Sequence, residues 1–248
     1  MQGRLLVFGA SGYVGRHLTA RLLALGHSVR AAARRLPALE AEAWQGAELV
    51  TADALDQASL GPALDGVTVA YYLVHSMVAG GDFPARDRIA AANFAEAAAS
   101  AGLQRIVYLG GLAPHAPDTV HLASRIETGD ILRAGPVPVT ELRAGIIVGP
   151  GSAAFEVMRD LVAHLPIMIT PRWIYSKSPP LALDELLGYL IALPDRPEAA
   201  GQVLEAGGPE RFTYEAMMRE LAGRLGRRQP WIIPVPLLTP NLSSYWLA

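Results

Sequence analysis

The stretch RLLVFGASGYVG, residues 4–15, constrains the fold of this chain more than any other part of it. A short apolar run comes first, and Gly9, Gly12 and Gly15 follow at a regular spacing. Glycines between a strand and a helix permit a tight turn, a close approach of the backbone to a pyrophosphate, and close packing of the helix on the sheet. The helix N-terminus then presents free amides to the phosphates. The motif therefore predicts a dinucleotide-binding βαβ unit.

The remaining pattern extends this unit into a larger sheet. Apolar runs alternate with Ala- and Leu-rich helical stretches, which is typical of a parallel sheet covered on both faces. We predict strands over 4–9, 27–33, 47–52, 67–74, 104–110, 138–149 and 202–208. Helices are predicted over 12–25, 83–102, 120–133, 152–165, 183–193 and 213–226, with a Pro- and aromatic-rich loop over 166–180. The fold class is α/β, a doubly wound parallel-sheet Rossmann fold.

Two domains follow from this pattern. We expect a dinucleotide-binding Rossmann domain over 1–150 and a smaller substrate-binding lobe over 151–248, partly interleaved with the first. The tail over 231–248 is apolar and broken by prolines. We therefore expect it to be either an interface segment or the start of a further region.

Composition excludes several classes of protein. The chain has 248 residues, of which 51% are hydrophobic, as in a globular protein. None is cysteine, which excludes disulfides, thiolate catalysis and Cys-ligated metals. The histidines also lack the spacing of a metal site, so we expect no metal. The net charge of −2 and the short basic runs predict no nucleic-acid partner. No apolar run reaches the roughly 18 residues of a membrane span. We expect a cytoplasmic monomer or homodimer, with membrane-peripheral attachment through WIIPVPLL, 231–238, as an alternative.

Two arginines indicate the choice of cofactor. Arg34 and Arg35 follow the second predicted strand, where an NAD-binding protein usually offers a carboxylate to the ribose 2′-hydroxyl. Guanidinium groups suit a 2′-phosphate instead. We therefore predict NADP(H) as the preferred cofactor. Glu40 or Glu42 could still select NAD(H), and two solvated arginines before Pro37 are the alternative without a ligand.

Motifs along most of the chain resemble one family of proteins. They are LLVFGASGYVGRHL, AARRL, TADALD, NFAEAAASAGLQRIVYLGGL, ELRAGIIVGPGS and EAGGPERFTYEAM. All resemble the atypical and extended short-chain dehydrogenase/reductases, and within these most closely the NmrA-like and epimerase-like reductases. The resemblance implies strand order 3-2-1-4-5-6 and a mobile C-terminal substrate lobe. It does not by itself imply an activity.

The resemblance also places the cofactor along the strand ends. It implies that Asp53 holds the adenine amino group, with a turn or helix-cap aspartate as an equal alternative. The full set of expected cofactor-binding residues is Gly9, Ser11, Gly12, Tyr13, Val14, Gly15, Arg34, Arg35, Asp53, Ala54, Leu73, Val74, His75, Arg125, Ala144, Gly145 and Ile146.

The catalytic motif of that family is altered. Catalytic members end the fifth strand in Ser or Thr and carry Tyr-x-x-x-Lys on the next helix. Here the fifth strand ends in Gly110 and Gly111, and ASRIETGDIL aligns so that His121 stands at the tyrosine and Arg125 at the lysine. An imidazole can act as a general acid, so His121 could donate a proton, while Arg125 holds the ribose. His75 and His115 are further candidates.

Other polar and apolar residues allow two interpretations each. Met77, Phe83, Phe155 and Trp173 could line a pocket for a quinone or aromatic carbonyl, although ordinary core packing is favoured. Asn93 could hold a water behind the active helix, but a bond to backbone near the fifth strand is favoured.

Two functions fit these observations. The first is an NADPH-dependent oxidoreductase of a small carbonyl or quinone that works without the Tyr-x-x-x-Lys pair. A quinone tolerates a missing acid because its reduced oxygens can take protons from water or histidine. The second is a non-catalytic NADP(H)-binding redox sensor or assembly factor.

Overall fold

The computed structural model describes residues 3–75, 82–112 and 120–235, without the side chain of Trp173. The strands are β1 Arg4–Phe8, β2 Ser28–Ala33, β3 Glu48–Thr51, β4 Val67–Tyr72, β5 Arg105–Gly111, β6 Val139–Ala144, β7 Ile147–Val148, β8 Ile167–Thr170, β9 Lys177–Ser178, β10 Leu181–Ala182, β11 Val203–Ala206, β12 Phe212–Thr213 and β13 Trp231–Pro234. The helices are α1 Tyr13–Ala24, α2 Leu36–Glu40, α3 Gln57–Leu64, α4 Phe83–Ser100, α5 Val120–Ala134, α6 Ala153–His164, α7 Leu183–Ala192 and α8 Tyr214–Arg224.

The chain forms two compact units. The first contains the chain up to Ala144 together with Asp184–Ala206, and the second contains Gly145–Leu183 together with the chain from Gly207 onward. The first unit therefore ends six residues before the expected boundary at 150, and it takes back a later segment that the sequence pattern assigned to the smaller lobe.

A seven-stranded parallel sheet forms the centre of the first unit. Its strand order is β11-β6-β5-β4-β1-β2-β3, and every neighbouring pair is parallel. The predicted α/β doubly wound fold and the order 3-2-1-4-5-6 are confirmed, and β11 extends the sheet beyond β6. Parallel strands end at the same edge, so the carboxyl ends of β1, β2, β4 and β5 lie along one side of the sheet.

Aromatic packing fixes the middle of this edge. The rings of Phe8, Tyr72 and Phe94 contact one another with centroids 4.8–5.8 Å apart, and Tyr108 lies 6.0 Å from Tyr72. All four side chains are buried, among the small alanines of α4. Because Phe8, Tyr72 and Tyr108 are near the ends of β1, β4 and β5, this cluster packs the carboxyl ends of those three strands together.

Three local predictions were wrong. The expected strand over 138–149 is two strands in different sheets, because β7 leaves the central sheet to pair with β10. The expected loop over 166–180 contains β8, β9 and a turn of 3-10 helix at Arg172–Tyr175. Helices α2 and α3 were not predicted: they are short and contain Pro37 and Pro62, although Asp56 caps α3 by accepting a hydrogen bond from the Ala58 amide.

The second unit has a small core of its own. Helices α6 and α8 pack together with the parallel pair β8–β13 around Met158, Val162, Met168, Ile174 and Met218. The antiparallel pair β9–β12 and the parallel pair β7–β10 complete this unit. Within the described part of the chain, no helix is both long and apolar enough to cross a membrane.

Candidate functional site

The glycine loop between β1 and α1 has the geometry of a phosphate-binding turn. Gly9 has φ of +96°, a conformation that side chains disfavour. A Cβ on Gly15 would lie 2.2 Å from the Gly9 carbonyl oxygen and 2.8 Å from Ala10 Cα, so the close approach of α1 to the loop requires glycine there. The amides of Gly9 and Ala10 both donate to the Ala32 carbonyl at the end of β2, at 2.9 and 3.0 Å. The protein fold itself therefore accounts for Gly9 and Gly15.

Gly12 differs from the other two glycines. It is exposed, it has φ of −76° as the N-cap of α1, and a Cβ there would meet only the Gly9 carbonyl oxygen, at 3.2 Å. No side chain caps α1, and Gly12 precedes Tyr13 and Val14 at the start of the helix. The first amides of a helix have no partner within the helix. The backbone at Gly12 is thus open on its outer side, and the turn fits a phosphate group.

Arg34 and Arg35 directly follow β2, and both are exposed. Within residues 3–75, 82–112 and 120–235, neither side chain has a hydrogen-bond or ion-pair partner. Of the two carboxylates that could select NAD(H), Glu42 forms a 3.9 Å ion pair with Arg16, and Glu40 is exposed. Among the described residues both guanidinium groups are therefore without a partner, two and three residues after Ala32, whose carbonyl accepts from the glycine loop.

Arg30, earlier on the same strand, is instead a structural residue. It is 4% exposed, and its Nη1 donates to the carbonyls of Pro62, Ala63 and Asp65 at the end of α3. Its Nη2 forms a 2.9 Å ion pair with Glu48. A cation at the carboxyl end of a helix satisfies otherwise unpaired carbonyls, so Arg30 fixes α3 against β2.

The loop after β3 is held mainly by its own hydrogen bonds. Asp53 Oδ1 accepts the Leu55 amide at 3.0 Å, and the Asp53 amide donates to Ser59 Oγ at 3.0 Å. These contacts form the turn that the sequence allowed as an alternative to adenine binding. Asn93 Nδ2 donates to the Ala54 carbonyl at 2.9 Å, so its backbone partner lies after β3 and not near β5 as expected.

Arg125 lies across the end of β5. Its Nη2 donates to Nε2 of His75 at 2.8 Å, joining α5 to the segment after β4. A Cβ on Gly111 would lie 3.2 Å from Arg125 Nη1 and 3.5 Å from Arg125 Cδ. The glycine that stands where the family keeps Ser or Thr therefore leaves the space that the guanidinium occupies. Tyr108 fixes the same turn of α5, because its hydroxyl donates to the Arg125 carbonyl at 2.9 Å.

His75 is neutral in this arrangement. A guanidinium can only donate, so Nε2 of His75 must accept and carries no proton. Burial, together with the positive charge of Arg125, lowers the pKa of His75 to about 4. Burial likewise raises the pKa of the Tyr108 hydroxyl to about 12. At neutral pH neither group exchanges a proton readily, and Arg125 supplies a fixed positive charge.

The two predicted catalytic residues have different surroundings. His121 is exposed, and its ring stacks on Phe83 with centroids 4.4 Å apart and 14° between the planes. Arg125 is hydrogen-bonded to His75, which was predicted only as a further candidate. The pair His75–Arg125 joins residues 50 apart in the chain, and no local sequence signal indicates it.

A buried carboxylate beside this site was missed by the sequence reasoning. Glu141 on β6 is 1% exposed and forms ion pairs with Arg133 of α5 and, at 2.7 Å, with Nε of Arg143. A Cβ on Gly129 would lie 2.5 Å from Glu141 Oε2, and one on Gly110 would lie 3.0 Å from Oε1. The glycines thus make room for the carboxylate. The sequence feature that could have indicated this buried carboxylate is the pair of charged residues, Glu141 and Arg143, within a predicted strand.

The remaining expected site residues divide among several locations. Leu73 and Val74 follow β4, where the Leu73 amide donates to the Phe8 carbonyl at 2.9 Å. Ala144 ends β6, and the segment after it begins the second unit with Gly145 and Ile146. Phe155 lies on α6, in the second unit. Met77, His115 and the Trp173 side chain lie outside the described residues.

Comparisons with known proteins agree with this architecture. The NmrA-like family matches residues 1–153. No curated protein matches the chain by sequence. A triphenylmethane reductase from Citrobacter sp., in complex with NADP(H), has a TM-score of 0.76 and 20% identity over 94% of this chain and 79% of its own. A short-chain dehydrogenase/reductase superfamily protein from Agrobacterium tumefaciens, with bound NAD, has a TM-score of 0.75 and 19% identity over 94% and 85%.

A nucleoside-diphosphate-sugar epimerase from Staphylococcus aureus is similar to the same extent, with a TM-score of 0.79 and 15% identity over 94% of this chain and 81% of the epimerase. Identities this low establish a shared fold, and that fold supports reductases and epimerases alike. Function must therefore be argued from the site.

Proposed function

Because the chain belongs to the NmrA-like family, we propose that it binds NADP(H) along the β1–α1 loop and β2 and reduces a small carbonyl or quinone. The observation that carries the proposal is the combination of the open turn at Gly12 with the two unpaired guanidinium groups of Arg34 and Arg35. Gly12 and the first amides of α1 would hold the pyrophosphate. Arg34 and Arg35 would hold the 2′-phosphate.

The choice of NADP(H) over NAD(H) rests on charge. A 2′-phosphate near two free guanidinium groups gains charge-assisted hydrogen bonds, whereas a ribose 2′-hydroxyl is usually bound by a carboxylate. Glu42 is paired with Arg16, which reduces its availability to that hydroxyl. Similar folds are known with NADP(H) and with NAD, so the fold itself accommodates either cofactor.

The chemistry of the site favours a substrate that needs no strong acid. A bound NADPH supplies a hydride to the substrate, and the protein supplies orientation, charge and a proton. His75 is neutral and bonded to Arg125, so it is a poor donor. His121 is exposed and stacked on Phe83, and it is the available side chain for proton delivery. A quinone can also take its proton from water.

Single-turnover kinetics test the reductase proposal. Protein loaded with NADPH should oxidise it when mixed with menadione or an aromatic aldehyde, in a phase that is absent without protein. NADPH that binds but is never oxidised by a panel of quinones and carbonyls would contradict it.

The second candidate is a redox sensor that binds NADP(H) without turnover. The altered end of β5 favours it, because Gly110 and Gly111 provide no hydroxyl and α5 carries His121 and Arg125 in place of Tyr and Lys. A sensor should bind NADPH and NADP⁺ with different affinities or change its protection from proteolysis between them, with no oxidation of NADPH in the same kinetic experiment.

A further inference from the structure

The guanidinium group of Arg125 has an unusual partner. Arginines that are partly buried generally bind carboxylates, but Nη2 of Arg125 is bonded to a neutral imidazole. In the described portions of the chain, no carboxylate lies within 4.0 Å of the Arg125 side chain. The positive charge is therefore held in place without being neutralised by contact.

Asp87 is a buried carboxylate whose charge acts on this site. Asp87 on α4 is 7% exposed and accepts a hydrogen bond from Ser124 Oγ at 3.0 Å. Its charge acts on His75 and raises the pKa of that imidazole, in opposition to burial and to Arg125. Asp87 thus offsets part of the local positive charge through space, but it accepts no hydrogen bond from Arg125.

The geometry around Arg125 leaves donors for a ligand. A guanidinium has five N–H groups. One is directed to His75, and within the described residues no other hydrogen-bond partner contacts the guanidinium, which lies in the space that Gly111 leaves. The backbone of this turn of α5 is fixed by the Tyr108 hydroxyl. A rigid, partly buried cation with free donors at the end of a parallel strand is suited to an oxygen anion.

We propose that Arg125 is an oxyanion-binding residue, positioned by His75, and that the substrate is an enone or quinone that carries a negative charge on oxygen once it is reduced. This inference rests on the proposed function, since it needs the dinucleotide at the same edge of the sheet. The substrate would take up one hydride, which carries two electrons and one proton, and would become an oxygen anion as the dinucleotide is oxidised. Water then supplies the second proton, so no tyrosine acid is needed.

The role of His75 follows from its protonation state. A neutral acceptor holds the guanidinium without cancelling its charge, whereas a carboxylate in that place would cancel it. His75 does not touch the substrate in this scheme and is a positioning residue. Its replacement by Gln retains an acceptor for Arg125, and its replacement by Leu does not.

A pair of naphthoquinones tests the proposal. Lawsone is an acidic hydroxynaphthoquinone that is anionic at neutral pH, and menadione is a neutral naphthoquinone of similar size. Binding of each to the protein saturated with NADP⁺ is measured by calorimetry. We expect lawsone to bind about tenfold or more tightly than menadione, as for a charge-assisted hydrogen bond. We expect Arg125→Gln to remove this preference and to leave menadione binding within about threefold.

Variants separate the oxyanion role from a structural one. His75→Gln should keep the preference for lawsone, whereas His75→Leu should reduce it. Arg227→Gln removes a positive charge from an exposed residue of the second unit and should leave both affinities unchanged. Thermal melting identifies variants that fail to fold. If Arg125→Gln does not fold, Arg125→Lys, which retains the positive charge, is used in its place. It should keep part of the preference for lawsone over menadione.

The outcomes also separate this inference from the proposed function. If NADP⁺ does not bind, the proposed function fails first. If NADP⁺ binds but the wild-type protein binds lawsone and menadione equally, the oxyanion role is wrong and the cofactor site stands. The same conclusion holds if Arg125→Gln and a folded Arg125→Lys retain the full preference for lawsone. If His75→Leu behaves as wild type, the positioning role of His75 is wrong.

Discussion

The low pKa of His75 predicts how the stability of the protein depends on acid. In the unfolded chain His75 takes up a proton below about pH 6.5, whereas in the folded protein it does so only near pH 4. Between these values the unfolded state binds more protons, so the free energy of unfolding falls as the pH falls. This contribution is fully present above about pH 6.5 and levels off below pH 4.

The size of the effect follows from the same shift. Each pH unit between the two pKa values costs about 1.4 kcal/mol. Lowering the pH from about 7 to about 4.5 therefore removes about 2 kcal/mol from the free energy of unfolding. The glutamine of the His75→Gln variant cannot take up a proton, but it can still accept a hydrogen bond from Arg125. Between about pH 7 and about pH 4.5 the free energy of unfolding of this variant should therefore fall by that much less than the free energy of unfolding of the wild type.

Urea unfolding at both pH values, followed by circular dichroism, measures this difference. His164→Gln is the matched control, because His164 is exposed on the second unit and its ring contacts the Asp160 carbonyl of its own helix. It should show the pH dependence of the wild type. If wild type and His75→Gln lose equal stability on acidification, His75 is not held neutral by burial and Arg125, and the description of this pair is wrong.

Four further substitutions separate structural from ligand-binding roles. Gly15→Ala should lower the free energy of unfolding by about 1 to 3 kcal/mol, because its Cβ would lie 2.2 Å from the Gly9 backbone. Gly12→Ala should instead keep the melting temperature and weaken NADPH binding by at least about tenfold. Equal effects of the two substitutions on the melting temperature would contradict this distinction. Glu141→Gln should cost about 3 to 5 kcal/mol in urea unfolding, since two arginines lose a buried partner, and a loss below about 1 kcal/mol would show that the ion pairs contribute little. His121→Phe should slow NADPH oxidation about tenfold or more with a carbonyl substrate if His121 delivers the proton; unchanged turnover removes it from that role.

The sequence predicted the fold because its signals are local and repeated. The strand–glycine–helix junction at residues 4–15 and the alternation of apolar runs with helices each depend on neighbouring residues only. The errors in the predicted strands arise where pairing between distant segments determines the strand boundaries. Residues 138–149 were predicted as one strand, and their pairing divides them into two, because β6 pairs with β5 and β11 whereas β7 pairs with β10.

The candidate site shows the same division. The positions of Gly12 and Arg34 after their strands were predictable from spacing, and the resemblance to a family placed Arg125 on α5. The partner of Arg125 was not predictable, because His75 follows a different strand and meets it only when β4 and β5 pair. The burial of Glu141 likewise depends on Arg133 from α5, which the strand sequence does not reveal.

Calorimetric titration of NADP⁺ and NAD⁺ into the wild-type protein and an Arg34→Ala/Arg35→Ala variant tests the cofactor assignment most directly. We expect wild type to bind NADP⁺ at least about tenfold more tightly than NAD⁺, and the variant to lose this preference while it retains NAD⁺ binding. Equal losses for the two dinucleotides, or a wild type that prefers NAD⁺, would contradict the assignment of the two arginines to the 2′-phosphate.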